Sequence, residues 1–415
     1  MTISTHPKLG SLLYHSHHTV GVGHLVRALA LVTALQDHFD VTFLSGGVFP
    51  AGLAIPPGVE FVQLPALMRG EGGRPQSAGS DRPWTETMEL RRAAVLAHFA
   101  RVAPAVVVVE SFPFGHRLLM SELLSLLDAN RHRAGGPARV YASIRDIMER
   151  DKDAPQLYDD LAASLANHYF DGILVHTDPR FITLDATFQP KVPLRVPVHQ
   201  TGFVTRTGPS PAPERDAPPA RPYLLASAGG GRVGGPLLRS VLTAYLAADL
   251  PRRVDLVVVT GPFLPEEECA WLETTAARHA RVEILRWTDD MRGLMGHAAG
   301  SVSQCGYNTT MDLLASGVPA LVVPYHTPHD FEQSTRAARL ADAGLVRTLA
   351  PDALDEAALG RELAALLDFK PAHTGLNLDG AATTAQIVVA AVAQDAVARG
   401  RVADRNVAHP GGSRP

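Results

Sequence analysis

Along nearly the whole chain, short β-branched and aliphatic runs alternate with stretches whose apolar residues return every third or fourth position. In the first half the runs predict strands at Ser11–Tyr14, Val41–Leu44, Glu60–Leu64, Val106–Val109, Val140–Ser143 and Gly172–His176. The periodic stretches between them predict helices at His24–Gln36, Glu86–Arg101, His116–Asp128 and Gln156–Tyr169. The same alternation restarts at Tyr223–Ser227 and continues through Leu256–Thr260, Val282–Leu285, Ser301–Ser303 and Ala320–Val323. Apolar strands separated by helices point to parallel sheets covered on both faces, because each crossover helix packs back on the sheet it leaves.

Between the two series, Thr205–Arg221 carries Pro209, Pro211, Pro213, Pro218 and Pro219 without periodicity, the composition of a linker. The expected organisation is a first α/β domain over 1–204, a linker over 205–221 and a second α/β domain over 222–399. The last helix is free to pack back on the first domain, and 400–415 reads as a disordered tail. The Gly/Pro/Ser-rich stretch Gly70–Pro83 reads as a long mobile loop.

A chain of 415 residues exceeds what one hydrophobic core usually serves, which agrees with two domains. Its 46% hydrophobic and 19% charged residues are ordinary for a globular protein, and a net charge of -4 gives no electrostatic reason to expect nucleic acid. Cys269 and Cys305 have no metal-ligand spacing and fit a reducing cytoplasm. Met1–Gly10 lacks the apolar stretch behind a basic flank of a secretory signal, and no apolar run approaches the ~20 residues of a membrane span. A cytoplasmic protein is expected, with peripheral membrane contact at most.

Two glycine-rich turns follow strands and open helices, one in each half. The second-half turn reads Ser227-Ala228-Gly229-Gly230-Gly231-Arg232-Val233-Gly234-Gly235, where glycines allow close backbone approach to a phosphate and the helix end offers free N–H groups. Its Gly229-x-Gly231-x-x-Gly234 spacing also fits dinucleotide binding, but that chemistry wants a ribose-binding acid after the next strand, and Val259 is followed by Thr260-Gly261-Pro262. The first-half turn reads Thr19-Val20-Gly21-Val22-Gly23-His24, with Arg27 one turn on. A histidine at the carboxyl end of such a strand can take a proton from a hydroxyl, or it can simply cap the helix. His15, His17 and His18 leave one strand end without a further ligand of suitable spacing, so no metal is expected.

The run Gly306-Tyr307-Asn308-Thr309-Thr310-Met311-Asp312-Leu313-Leu314-Ala315-Ser316-Gly317-Val318-Pro319 resembles the C-terminal signature of GT-B glycosyltransferases, nearest to family 28. Trp287-Thr288-Asp289-Asp290-Met291 upstream, with Pro324-Tyr325 and Asp330-Phe331-Glu332-Gln333 downstream, resembles that family's base and donor-sugar segments in the same order. The resemblance implies two Rossmann-like doubly wound domains facing each other across a cleft. It implies that Asp312 grips the ribose diol, where the family carries a Glu one methylene longer. Gly306 would open the helix aimed at the diphosphate, with Asn308 and Thr309 as side-chain donors. Thr288 would lie against the base, and Gln333 with Glu332 would meet sugar hydroxyls. Gly21-Val22-Gly23-His24 resembles the acceptor-side loop, with His24 as base and Arg27 beside it. It departs from the peptidoglycan enzyme of the family and comes closer to uncharacterised relatives and nucleotide-sugar hydrolases.

The expected activity is an inverting, metal-independent and cofactor-free transfer from a nucleoside diphosphate sugar, UDP-linked by resemblance, to a small-molecule, saccharide or lipid-linked acceptor hydroxyl. A hydrolase using His24 to activate water, and a non-catalytic nucleotide-sugar-binding module, are the alternatives.

Overall fold

The computed structural model describes residues 7–18, 23–50, 53–69, 75–148, 153–205, 221–251, 253–288, 290–326 and 331–407. The first series comprises β1 (Ser11–Ser16), α1 (Gly23–Leu35), β2 (Asp40–Ser45), β3 (Glu60–Gln63), β4 (Leu67–Arg69) and β5 (Pro75–Ser77). It continues with α2 (Trp84–Val102), β6 (Val106–Glu110), α3 (Met120–Arg131), β7 (Arg139–Arg145), α4 (Pro155–Tyr169), β8 (Gly172–His176) and β9 (Val198–Gln200). The second series opens with β10 (Tyr223–Ser227), α5 (Gly235–Ala247), β11 (Asp255–Val259), α6 (Glu266–Ala276), β12 (Val282–Leu285) and α7 (Met291–His297). It closes with β13 (Gly300–Ser303), α8 (Tyr307–Ser316), β14 (Ala320–Val322), α9 (Glu332–Asp342), β15 (Arg347–Thr348), α10 (Glu356–Leu366) and α11 (Gly380–Val407).

Each series builds one parallel sheet. The strand orders are β3-β2-β1-β6-β7-β8-β9 and β12-β11-β10-β13-β14-β15. In both, the first strand of the series lies inside the sheet and the order reverses beside it, between β1 and β6 and between β10 and β13. Loops leaving the carboxyl ends of two such strands turn to opposite faces and leave a crevice between them, the usual ligand site of open α/β sheets. The central strands are buried on both sides, Val106–Glu110 and Tyr223–Ser227 throughout, which is why they read as apolar runs up to their last residues, Glu110 and Ser227.

Two expectations change locally. The helix read from His116 begins at Met120, because His116 sits in the left-handed region (φ 52) and Arg117–Leu119 form a 3-10 turn. A positive φ at a non-glycine residue ends helical continuity. Within the stretch read as a mobile loop, Pro75–Ser77 pairs antiparallel with Leu67–Arg69, a hairpin that three-residue strands scarcely announce in sequence.

The two domains share packing. Ile147, Phe181, Ile182 and Phe203 of the first series belong to one core cluster with Tyr223, Leu225, Tyr307 and Met311 of the second. α11 returns to the first domain, where Ala381, Ala385 and Val388 pack with Leu25, Ala28 and Leu31 of α1. Arg139 ties Asp395 to the edge of this contact. α11 also runs into the stretch that the sequence reading assigns to a tail. Its window Gly380–Val397, with mean hydropathy 1.2, is long and apolar enough to cross a membrane. Alanines, valines and one isoleucine supply that hydropathy, the longest uninterrupted apolar run, Ile387–Ala393, is far shorter than a span, and Ala381, Ala385 and Val388 are already covered by α1.

Phe203 is fully buried, with its ring 5.3 Å from Phe181 and 6.3 Å from Tyr307. Phe203→Ala is expected to cost about 3–5 kcal/mol in urea denaturation, by lost transfer energy and a cavity between the domains. Val397→Ala, on an exposed face of α11, should stay within about 0.5 kcal/mol.

Candidate active site

The two reversal points face each other across a cleft of about 1030 Å³. His24, Gly23 and Arg27 line it from the first domain, and Gly229–Gly231, Thr288, Gly306, Asn308, Thr309, Asp312, Glu332 and Gln333 from the second. Gly21 of the first glycine turn lies outside the described residues, as do Asp289 and Asp330.

On the first side, β1 ends in His15 and Ser16, and α1 starts at Gly23 so that His24 stands in its first turn. The neighbouring strand β6 ends in Glu110, which has no exposure. His24 Nδ1 lies 3.1 Å from Glu110 Oε1, and Arg27 Nη2 donates to the same oxygen at 2.6 Å. Ser16 Oγ donates to the other carboxylate oxygen. Burial by itself would raise the Glu110 pKa, but the charges of His24 and Arg27 and the bonds from His24 and Ser16 hold it well below the usual carboxylate range. An ionised carboxylate accepts and cannot donate, so Glu110 favours the proton on Nδ1 and the lone pair on Nε2, while Arg27 Nη2, a donor only, lies 3.1 Å from the same Nδ1 and opposes it. Burial lowers the His24 pKa, against the opposing pull of Glu110, so the ring is a neutral base at physiological pH.

On the second side, Gly229 (φ 56) and Gly231 (φ 89) take left-handed conformations, and a Cβ on Gly231 would stand 2.4 Å from the Thr260 carbonyl. Only glycines fit that interlock. Across from the turn, α8 begins after Gly306, and a helix start leaves its first N–H groups unbonded and its positive end outward. The Thr309 hydroxyl lies 3.7 Å from the position a Gly229 Cβ would take, so turn and helix end converge on one space. The arrangement suits a diphosphate. Asp312 lies one turn inside α8 and lines the same space.

Three expected donor residues have further attachments. Asn308 Nδ2 donates across the cleft to the Gly23 carbonyl at 3.1 Å, which turns its amide toward the other domain. Gln333 Oε1 accepts from the Cys305 and Tyr325 amides, both at 3.0 Å, which fixes its side-chain carbonyl against the backbone. Glu332 is buried and ion-paired to Arg145 at 2.7 Å and Arg336 at 2.6 Å. Burial opposes its ionisation, but the two arginines bring its pKa to about 2. Thr288 is buried at the cleft wall and accepts from the Asp290 amide at 3.1 Å.

The structure adds residues that the motifs do not name. Arg336 donates to both Asp146 oxygens at 2.8 and 2.7 Å, with neither side chain exposed. Tyr307 donates to the His176 carbonyl at 3.0 Å and accepts from the Val204 amide, and Arg27 lies 5.3 Å from its ring centre. The His116 ring meets His17 edge-on and His24 at a tilt, with ring centres 5.5 and 5.3 Å away. A signal for Glu110 was present: an acid closing a fully apolar parallel strand is a costly burial that asks for partners. His116 and Arg336 carry no such signal.

Residues 230–386 match the Glycosyltransferase family 28 C-terminal domain. Among curated proteins, the chain is 31% identical over 139 residues to the UDP-N-acetylglucosamine--N-acetylmuramyl-(pentapeptide) pyrophosphoryl-undecaprenol N-acetylglucosamine transferase of Methylococcus capsulatus, covering 34% of this chain and 38% of that one. The enzyme of the same name from Gloeobacter violaceus is 29% identical over 160 residues, covering 39% and 43%. The chain thus spans about two fifths of the length of these relatives. Among solved structures, CalG4, the calicheamicin glycosyltransferase, superposes with TM-score 0.55 at 19% identity over 98% of this chain and all of the other. Acinetobacter baumannii MurG gives 0.56 at 15% identity over 91% and 99%. The fold is GT-B, and the family 28 resemblance read from the C-terminal motifs holds.

Burial holds His116 and His176 neutral in the folded chain, each with its pKa near 3. An unfolded histidine takes up its proton near pH 6.5, so below that pH the unfolded state binds more protons and stability falls as pH falls. Each of the two should remove on the order of 1.4 kcal/mol per pH unit between about 6.5 and 4. Urea midpoints measured from pH 7 to 5 should decline, and His176→Gln should flatten the slope.

Proposed function

We propose that this chain is an inverting glycosyltransferase that moves a sugar from a UDP-sugar to an acceptor hydroxyl, with His24 as base. The observation that carries the reading is the His24–Glu110 pair facing the convergence of the Gly229–Gly231 turn and the start of α8 across one cleft. The names of the relatives, which specify a UDP-linked donor, support the nucleotide.

In the reaction, His24 Nε2 takes the acceptor proton while the acceptor oxygen bonds to the anomeric carbon. The bond from that carbon to the diphosphate oxygen breaks on the opposite face, and the electron pair leaves with UDP. The α8 N-terminus, the glycine turn and Thr309 stabilise the charge that grows on the diphosphate, so positioned dipoles supply the electrophilic assistance. Asp312 offers two acceptor oxygens to the ribose diol, and Gln333 Nε2 offers a donor to a sugar hydroxyl. Glu110 positions His24 and stabilises the imidazolium as it forms. The buried free thiols of Cys269 and Cys305 support the cytoplasmic setting.

His24→Ala should lower kcat by about 10²–10⁴-fold while leaving UDP affinity within twofold, measured by UDP release and calorimetry. Glu110→Gln should lower kcat less than His24→Ala and change the acid limb of the pH profile. That limb should lie below pH 6.5 in the parent, because burial depresses the His24 pKa. Stoichiometric, rapid release of free sugar without acceptor, abolished by His24→Ala, would establish the hydrolase instead. Donor binding without turnover on any acceptor would establish a binding module.

A further inference from the structure

The diphosphate of the proposed donor brings more charge to the cleft than the groups already named can meet. Each phosphate of a nucleoside diphosphate sugar is anionic, and the leaving group gains another negative charge when the anomeric carbon–oxygen bond breaks. The N-terminus of a helix such as α8 contributes roughly half a positive charge. Among the described residues four arginines line the cleft, Arg27, Arg117, Arg145 and Arg232. Two are already neutralised, Arg27 by Glu110 at 2.6 Å and Arg145 by Glu332 at 2.7 Å. Arg117 lies on the first domain, its guanidinium 3.7 Å from the centre of the Tyr158 ring.

Arg232 is placed differently. It follows Gly231 in the glycine turn and is exposed, and no carboxylate among the described residues pairs with it. Its guanidinium carbon stands 5.9 Å from the centre of the Phe263 ring, and Phe263 lines the cleft as well. The charge thus lies at the cleft wall on the side of the glycine turn. The backbone beneath it is fixed. The Gly231 amide donates to the Ala228 carbonyl and the Gly234 amide to the Gly231 carbonyl, both at 3.0 Å, and the Phe263 amide donates to the Gly230 carbonyl at 3.0 Å. A Cβ on Gly261 would stand 2.4 Å from the Gly229 carbonyl oxygen, so the turn and the segment carrying Phe263 leave each other no slack. An exposed cation beside a ring is a weak contact that a phosphate can replace, because a guanidinium fork makes two charge-assisted hydrogen bonds to phosphate oxygens.

We propose that Arg232 leaves the Phe263 ring to bind the donor diphosphate and supplies the full positive charge that the helix end and the glycine turn lack. As the anomeric carbon–oxygen bond breaks, its electron pair stays on the diphosphate oxygen, and the Arg232 guanidinium meets the charge that grows there. The proposal rests on the nucleoside diphosphate sugar reading of the cleft. It adds to that reading a side chain whose effect depends on the charge of the ligand and not on its nucleoside.

The test is calorimetric binding of uridine, UDP and inorganic pyrophosphate to the full chain and to its Arg232→Gln and Arg232→Lys variants. Arg232→Gln should weaken UDP and pyrophosphate about tenfold each, the value of one charge-assisted bond of about 1.4 kcal/mol, and uridine less than about twofold. Arg232→Lys keeps the charge and loses the fork, so it should hold UDP within about threefold of the parent. Added NaCl should weaken UDP binding more steeply in the parent than in Arg232→Gln. An unchanged urea midpoint in both variants separates a lost contact from a lost fold. The proposal is overturned if Arg232→Gln binds UDP as the parent does, if uridine weakens as much as UDP, or if Arg232→Lys binds UDP no better than Arg232→Gln. Pyrophosphate keeps the two readings apart. Pyrophosphate binding that depends on Arg232, in a parent that binds neither uridine nor UDP, would sink the nucleotide-sugar reading and leave the anion site standing. A parent that binds none of the three would sink both.

Discussion

A guanidinium without solvent exposure stands between the two sheets. Arg336 gives two hydrogen bonds to Asp146 at the exit of β7, one to Glu332 and one to the Cys305 carbonyl just before α8. An unpaired charge in that position would be intolerable, so all of its partners must arrive together. The partners come from both domains, which sets the distance and angle between them. Replacing such a pair with apolar groups often costs little, whereas removing one member costs several kcal/mol. Its consequence here is geometric: the loop that opens α8 is fixed relative to β7, and therefore relative to the first domain's strand ends.

From that fixed frame the chemistry follows. Glu332, gripped by Arg336, also reaches Arg145 at the end of β7, and Tyr307 at the start of α8 reaches the end of β8. Arg27 lies against the Tyr307 ring while it neutralises Glu110. The Glu110 carboxylate beside His24 is thus part of the same connected set that positions the N-terminal end of α8. The proposed base and the proposed leaving-group site are held to one another through buried charge. Asn308 and the Gly23 carbonyl add a direct hydrogen bond between the two domains.

The exceptions to local rules lie close to this cleft. The left-handed His116, the left-handed Ser111 and the His17 ring, whose nitrogens have no hydrogen-bond partner among the described residues, gather within one loop and one strand end. Glycine interlock at Gly231 and Gly261 does the same on the other side, where backbone replaces side chain to leave room for a ligand. Such departures are expected at sites that bind or react, because the rest of the fold is consistent enough to hold them.

The alternation of apolar runs and periodic helices was sufficient for two parallel sheets, because strand burial and helix amphipathicity are local patterns. The glycine turn at Gly229–Gly231, the α8 signature through Asp312, and His24 at a helix start were legible for the same reason: each is a contiguous string whose geometry is set by its own backbone. The hairpin of β4 and β5 and the start of α3 escaped, since three-residue strands and a left-handed His116 have no periodic signature. Only the tertiary structure decided which strand ends became neighbours. Parallel pairing of β1 with β6 carries Glu110 to His24 across the intervening chain, and domain packing brings Arg336 to Asp146. Those partners are chosen by sheet order and buried-charge compensation, which no local stretch of sequence contains.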